Sequence, residues 1–317
     1  YREVTVPEPG PYEIVVRTHY SWISNGTEGS LLRGERVNGE TPYKPGDRWP
    51  FPIVAGYQST GIVESVGDSV QLVQPGEWVF CPMGRIDGMY EAWGGHISLK
   101  VAHETQVWKI PEDVSPIAAS GLVLTQVGYN CGIRAPINIS DVALVIGDGM
   151  VGHWAAQTLH WRGAKVILAG KHDDRLSFFP EGNNRYRVNV TRQDILEVVR
   201  AIAPCGIQVL VHSSGPLSSV MECHPLMKHD GHIVSAGFIK EDSLIDVQRL
   251  RFGELALHCP SGWSRQRMDE TLSLIASGYL DTESLITHRF PVKDAAEAWN
   301  VIIARTETVL GVILEWV

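Results

Sequence analysis

Val142-Ala143-Leu144-Val145-Ile146 runs without a break into Gly147-Asp148-Gly149-Met150-Val151-Gly152. The apolar pentad reads as a strand, and the Gly-x-Gly-x-x-Gly turn that closes it opens a helix, because Val151, Trp154, Ala155 and Leu159 follow at helical spacing. Each glycine has a steric reason. The first permits the tight turn, the second lets backbone approach a pyrophosphate, and the third lets the helix pack close on the strand. The pyrophosphate then rests on the unpaired N–H groups of the helix's first turn. Glycine strings also arise in purely structural loops; the strand before this one and the helix after it select a dinucleotide site and make an oxidoreductase the leading expectation. Gly147, Gly149, Met150, Val151 and Gly152 are the expected contacts.

Downstream the same rhythm continues. Strand patterns at 142–146, 166–169, 207–211, 232–236 and 255–258 alternate with helical stretches at 151–162, 194–203 and 217–228, which predicts an α/β fold with a doubly wound parallel sheet. Upstream, Tyr12 to Arg17, Gly61 to Val66, Trp78 to Phe80 and His96 to Lys100 are short β-type runs broken by Gly and Pro, the pattern of an antiparallel, barrel-like region. The long polar stretch from Gly34 to Pro52 reads as a lid or as a surface excursion. A last helix near Met268–Ser277 and a β-rich stretch at 309–314 lie outside the sheet's run, so the C-terminus is expected to return to the first domain. The expected division is 1–128, 129–263 and 264–317.

At 317 residues the chain is long enough for two domains, each with its own core. A net charge of −9 supplies no basic stripe to neutralise phosphates, which argues against a nucleic-acid partner, and no stretch resembles a membrane span. Cys81, Cys131, Cys205, Cys223 and Cys259 form an odd set without a C-x-x-C pair, so neither a disulfide framework nor a four-cysteine zinc lobe is expected. A reducing cytoplasm fits that usage. No leader peptide is readable from Tyr1 onward.

The second strand of the dinucleotide unit, Lys165 to Ala169, should end on an acid that accepts hydrogen bonds from the adenine ribose of NAD; Gly170 stands there instead. Lys171-His172-Asp173-Asp174-Arg175 follows, and cations without a carboxylate suit a 2′-phosphate. Gly170, Lys171, His172 and Arg175 therefore point to NADP(H). The alternative is a solvated turn, with Asp173 or Asp174 serving the ribose of NAD(H). Ser213, Gly215, Gly237 and Phe238 end two later strands, where open α/β sheets gather ligands, and read as the nicotinamide side or as ordinary turn residues.

Several segments resemble the medium-chain dehydrogenase/reductase superfamily. Gly56-Tyr57-Gln58-Ser59-Thr60-Gly61-Ile62-Val63 is similar to its G-H-E-x-x-G-x-V, Pro75-Gly76-Glu77-Trp78-Val79 to P-G-D-x-V, and Gly94-Gly95-His96 to the start of G-G-x-A-E-Y. Leu285 to Phe290 reads L-I-T-H-R-F, and Asp294 to Trp299 resembles D-A-x-E-A-F. The resemblance spans essentially the whole chain and implies a Rossmann domain joined to a GroES-like antiparallel β-barrel, a homodimer, and further strands before the position of Tyr1. The departures are equally informative. Zinc-dependent members hold the metal on a Cys, the His of G-H-E and a Cys or acid after the barrel; the matching residues here are Ser24, Tyr57 and Val123, none an ordinary zinc ligand. No C-x-x-C-x-x-C run lies between Val79 and His96. A substitute set of Cys81, His96 and His103 competes with the reading of those residues as structural, and the expectation is no zinc. Ile23-Ser24-Asn25-Gly26-Thr27-Glu28 with Ile53 to Gln58 is similar to the pair in the bacteriochlorophyllide dehydrogenase-like branch, which oxidises a secondary alcohol on a tetrapyrrole.

Hydride transfer requires a group that stabilises the substrate oxygen and moves its proton. Without a metal, Tyr57 is the natural candidate, because it occupies the place of a lost ligand. Thr27 matches the family's proton-relay hydroxyl, and Ser24 and Gln58 would orient the substrate or the phenol. The competing reading leaves Tyr57 as a packed wall of the cleft. Glu28 is expected to hold its loop, and His96 to lie on a strand beside the cleft without a catalytic part. Trp22, Trp49, Tyr90 and Trp93 offer an aromatic wall or plain packing. Three functions follow: a zinc-independent, NADP(H)-dependent enzyme interconverting a secondary alcohol and a ketone; a quinone or enone reductase; or a cofactor-binding protein with little turnover.

Overall fold

The structure, a computed structural model, describes residues 2–33, 52–237, 244–304 and 306–317. It divides into two units, one formed by Tyr1–Val123, Leu272–Ala276 and Thr282–Val317, the other by Leu124–Thr271 and Ser277–Asp281. The first division thus falls at 123/124 rather than at 128/129. The stretch from Gly34 to Phe51, including Trp49, lies outside the described residues.

The first unit contains β1 (Glu13–Ile23), α1 (Thr27–Leu32), β2 (Ser59–Val66), β3 (Trp78–Phe80), the short ribbon β4 (Gly84–Arg85) with β5 (Trp93–Gly94), β6 (Leu99–His103), β7 (Trp108–Lys109) and α2 (Pro116–Ala119). Strand β1 organises it. Its first half, Glu13 to Arg17, pairs with β6, while β2 runs antiparallel along its other side. Register shifts at Val15/Val16 and Thr18/Tyr20 mark bulges, which bend a strand and increase its twist. Ile14 and Val16 alternate inward to a core with Val63, Val79, Ala102 and Val107. His96, expected within a strand, lies in the bend between β5 and β6, because β6 begins only at Leu99.

The second unit begins within α3 (Leu122–Ile133) and continues through β8 (Val142–Ile146), α4 (Met150–Trp161), β9 (Lys165–Gly170), α5 (Asp173–Leu176), β10 (Arg185–Asn189), α6 (Ile195–Ile202), β11 (Ile207–His212), α7 (Ser218–Cys223), β12 (Met227–Ser235), α8 (Val247–Phe252), β13 (Ala256–His258) and the first part of α9 (Arg265–Ala276), up to Thr271. Its sheet has the order β10-β9-β8-β11-β12-β13, with every pairing parallel. The direction of winding reverses at β8, so β8 and β11 flank the switch point where such sheets bind ligands. Val145, Leu168 and Val211 pack one face; Leu144, Ile167 and Leu210 pack the other. Two expectations are corrected. β10 carries no apolar run because it is the outer strand, and the helix expected at 217–228 stops at Cys223, where a 3₁₀ turn around Pro225 gives way to β12.

The chain then returns to the first unit. β14 (Ile286–Pro291) pairs parallel with β15 (Gly311–Glu315), which pairs with the second half of β1 at Tyr20 to Ile23. Between them α10 (Ala295–Ala304) packs Ala298 and Ile302 against Ile23, Val312 and Leu314. No helix among the described residues is long and apolar enough to cross a membrane.

Candidate functional site

In the second unit the carboxyl ends of β8, β9, β11 and β12 bring the predicted glycines to one edge of the sheet. Gly147 adopts φ +126°, and a Cβ there would meet Ser213 Oγ at 2.3 Å. At Gly152 a Cβ would stand 1.9 Å from the Gly147 carbonyl oxygen, which only glycine avoids. Gly149 is the opposite case: nothing lies within 4 Å of its Cβ position, and as N-cap of the twelve-residue α4 it offers no capping side chain. Open space beside uncapped helix N–H donors is what a pyrophosphate requires, so these residues fit a dinucleotide. Met150 is buried and Val151 half-buried at the helix start. Ser213 donates to the Ile146 carbonyl through both N–H and Oγ, at 2.9 and 3.0 Å, which pins the β11 end to the β8 end. Gly215 takes φ +90°, and Gly237 donates to the His212 carbonyl at 3.0 Å. Phe238 lies outside the described residues.

Gly170 does terminate β9, yet the expectation that this end is free of carboxylate is corrected. Asp148, inside the glycine turn, reaches across: Lys171 N–H and His172 N–H donate to its Oδ2 at 2.8 and 2.9 Å, and His172 Nδ1 lies 2.8 Å from the same oxygen. Arg175 Nη1 is 3.8 Å from Oδ1. Burial alone would raise this carboxyl, but the His172 hydrogen bonds, together with that from Lys171, outweigh it and hold the pKa below the ordinary carboxylate value. Asp173, the alternative ribose acid, is engaged by Asn189 Nδ2 and by Arg192, both at 2.6 Å. The signal for Asp148 was present in the sequence as an acid between two motif glycines opposite a glycine-ended strand.

In the first unit β1 ends at Ile23, and the chain turns through Ser24 into α1, which starts at Thr27. The side chains of Ser24 and Thr27 lie within reach of the Tyr57 hydroxyl and favour its ionised form. Tyr57 is half-buried overall, but its hydroxyl is desolvated, and burial together with the nearby Glu28 carboxylate pushes the phenol up to about 12. Glu28 is buried; it accepts from Ser24 N–H at 2.8 Å and pairs with His96 Nε2 at 2.9 Å. His96 Nδ1 in turn lies 2.9 Å from Ser21 Oγ, which accepts from Trp316 Nε1 at 2.8 Å. Glu28 and His96 therefore hold the loop that carries Ser24, while Tyr57, Ser24 and Thr27 form one hydroxyl cluster. Removing the carboxylate with Glu28→Ala leaves a buried N–H and imidazole without their acceptor, and urea denaturation should record a loss of about 1–3 kcal/mol.

Two predicted residues are not brought to the cluster. Gln58 is fully buried, and its Nε2 donates to the Trp22 carbonyl at 3.3 Å, so it supports the β1–β2 contact rather than orienting a substrate. Trp22 is fully buried too, against Gly121 and Gly311, and belongs to the core rather than to an aromatic wall. Tyr90 is half-buried and Trp93 is exposed. A cavity of about 1130 Å³ in the same unit is lined by His96, Trp299 and Trp316 among others, but not by Ser24, Thr27 or Tyr57.

At the three positions matched to the family's zinc ligands, none of the residues present is an ordinary zinc donor. Ser24 and Tyr57 offer only hydroxyl oxygens, which are not ordinary zinc ligands, and Val123 is a buried hydrocarbon. Cys81, His96 and His103 are not gathered: among the described residues, three possible ligands come within 4.8 Å of one another only at His229, Asp230 and Glu254, all exposed.

Comparison with known proteins follows the same division. Residues 10–112 match the alcohol dehydrogenase GroES-like domain family, and residues 150–277 match the zinc-binding dehydrogenase family. An L-threonine 3-dehydrogenase of Anaeromyxobacter dehalogenans is 26% identical over 99% of this chain and 94% of that protein. The 2-desacetyl-2-hydroxyethyl bacteriochlorophyllide A dehydrogenase of Rhodobacter capsulatus is 25% identical over 98% of this chain and 92% of that protein. Among solved structures, a zinc-binding dehydrogenase from Sinorhizobium meliloti 1021 bound to NADP superposes with a TM-score of 0.82 at 22% identity, covering 99% of this chain and 95% of that one. An alcohol dehydrogenase from Escherichia coli CFT073 complexed with NADH gives 0.83 at 22% identity, covering 98% and 94%. The glycine cradle on a parallel sheet, the GroES-like unit and these matches together place the chain in the medium-chain dehydrogenase/reductase superfamily, as an oxidoreductase of the alcohol dehydrogenase type.

Proposed function

We propose that this protein interconverts a secondary alcohol and a ketone by hydride transfer without zinc, using a nicotinamide dinucleotide and a small-molecule substrate. The observation that carries the reading is the hydroxyl cluster, in which the side chains of Ser24 and Thr27 approach the buried hydroxyl of Tyr57. A bound nicotinamide supplies or takes the hydride. The protein's part is the oxygen. The Tyr57 O–H donates to the carbonyl oxygen as negative charge develops there, and Ser24 and Thr27 hold the phenol in position. Thr27, half-buried at the start of α1, is the hydroxyl through which the phenol regains its proton. A phenol that stays protonated at neutral pH suits ketone reduction better than alcohol oxidation.

Treatment of the purified enzyme with EDTA or 1,10-phenanthroline should leave turnover unchanged, and elemental analysis should find no stoichiometric zinc. Activity lost on chelation and restored by Zn²⁺ would overturn the zinc-free reading. Assay with a ketone and an enone in parallel separates carbonyl from C=C reduction; turnover of the enone alone would favour the quinone or enone reductase, and turnover of neither would favour a binding protein.

The five thiols are free, which fits a reducing cytoplasm. Strand β13 is the outer strand of its sheet and exposes Leu257, a surface suited to a second copy of the chain, so a homodimer is expected in light scattering. The expectation of NADP(H) depends on a β9 end without a carboxylate, and Asp148 reopens that choice.

A further inference from the structure

We propose that Asp148 is the cofactor-selecting residue of this protein and that it selects NAD(H) against NADP(H). The inference rests on the dinucleotide reading above and concerns the turn between β9 and α5.

A 2′-phosphate recognised at the end of β9 needs donors from that turn, namely consecutive backbone N–H groups supplemented by cationic side chains. Those donors exist here. Lys171 N–H and His172 N–H point to one place and the His172 ring joins them, but the place is filled by Asp148 Oδ2. The chain has supplied its own anion to the cradle. A phosphate entering beside it would meet a carboxylate whose side chain is only 9% exposed, where screening by water is weak and like charges repel strongly. Lys171 and Arg175, which in isolation suggest a phosphate site, do not cancel that effect: Arg175 Nη1 stands 3.8 Å from Asp148 Oδ1, so its charge is shared with that carboxylate without hydrogen-bonding it.

A ribose presents the opposite chemistry. Its 2′- and 3′-hydroxyls are donors, and Asp148 Oδ1, whose nearest cation is beyond hydrogen-bond distance, has lone pairs to accept them. In the usual arrangement the acid that does this is the last residue of the second strand. Here Gly170 holds that position, and a Cβ on it would come within 2.4 Å of Asp148 Cβ. The two placements exclude each other, so the glycine at 170 is the steric condition for the acid at 148. The carboxylate has been moved from the strand end to the glycine turn, and the absence of an acid at 170 no longer signals a phosphate.

The test is direct titration of wild type, Asp148→Ser and Asp148→Asn with NADH and with NADPH, each followed by quenching of Trp fluorescence and by calorimetry. Wild type should bind NADH at least about tenfold more tightly than NADPH. Asp148→Ser empties the cradle at Lys171 and His172; NADPH should tighten about tenfold or more and NADH should weaken, reversing the preference. Asp148→Asn keeps the shape but removes the charge, so it should at least equalise the two cofactors even if the serine variant does not fold. A wild type that prefers NADPH, or an Asp148→Asn ratio equal to that of wild type, overturns the inference while leaving the proposed function intact. Binding of neither dinucleotide overturns the proposed function and this inference with it.

Discussion

Tyr57→Phe should lower kcat for ketone reduction by about 10²–10⁴-fold, the range associated with loss of a positioned proton donor. Dissociation constants for the dinucleotide should stay within about twofold of wild type, since the substitution removes one oxygen and no charge at neutral pH. The size follows from the surroundings of that oxygen. The side chains of Ser24 and Thr27 lie within its reach, and burial and Glu28 keep the phenol protonated to about 12. The donor is therefore in its active form across the whole neutral range, and the alkaline limb of the reduction profile should lie above the ordinary phenol value of about 10. The same shift has a stability consequence. A folded-state pKa raised above the unfolded value contributes stability that is complete below about pH 10 and is lost as pH rises toward 12. Steady-state kinetics of the phenylalanine variant decide the matter: unchanged kcat would make Tyr57 a packed wall of the cleft.

Gly152→Ala should abolish measurable dinucleotide binding and lower the melting temperature. A methyl at this position falls 1.9 Å from the Gly147 carbonyl oxygen and 3.0 Å from Ser213 Oγ. The first of these is backbone and cannot rotate aside, so the turn must open. Overpacking of this kind costs about 1–3 kcal/mol or more. Gly149→Ala provides the contrast, because nothing lies within 4 Å of its Cβ position and its φ of −86° suits any residue. That variant should melt like wild type yet bind dinucleotide more weakly, since its methyl enters the space reserved for the pyrophosphate. Thermal melts and NADH titrations of the pair separate the glycine that closes the turn from the glycine that clears it. If Gly149→Ala binds as wild type does, the cofactor does not approach the turn there.

Legibility in the sequence followed local physics. Val142–Ile146 was readable to the residue because a buried parallel strand is an uninterrupted apolar run ended by a glycine turn. β10 was not, since an outer strand with Arg185 and Arg187 lacks such a run. The helix at 217–228 was overextended because its apolar spacing continues past Pro225, and the proline decides otherwise. At the site, Ser24 and Tyr57 were read from the positions of lost metal ligands and Thr27 from the family's proton-relay hydroxyl. Gln58 was misplaced for a geometric reason: neighbours on an extended chain point to opposite sides, so a residue beside Tyr57 is directed into the core.

The sequence by itself determined which backbone conformations are available and where. Glycines at 147, 149 and 152 specify a pyrophosphate turn, alternating strands and helices specify the parallel sheet, and Ser24, Tyr57 and Val123 stand at the positions matched to the family's zinc ligands. These properties reside in residue type and spacing, which act over a few positions. Tertiary structure alone decided what meets across the fold. It brought Asp148 of the glycine turn against the end of β9, some twenty residues later, and tied Glu28 to His96 across 68 positions. A carboxylate's role depends on which donors it reaches, and reach is a property of the folded chain rather than of neighbours in sequence.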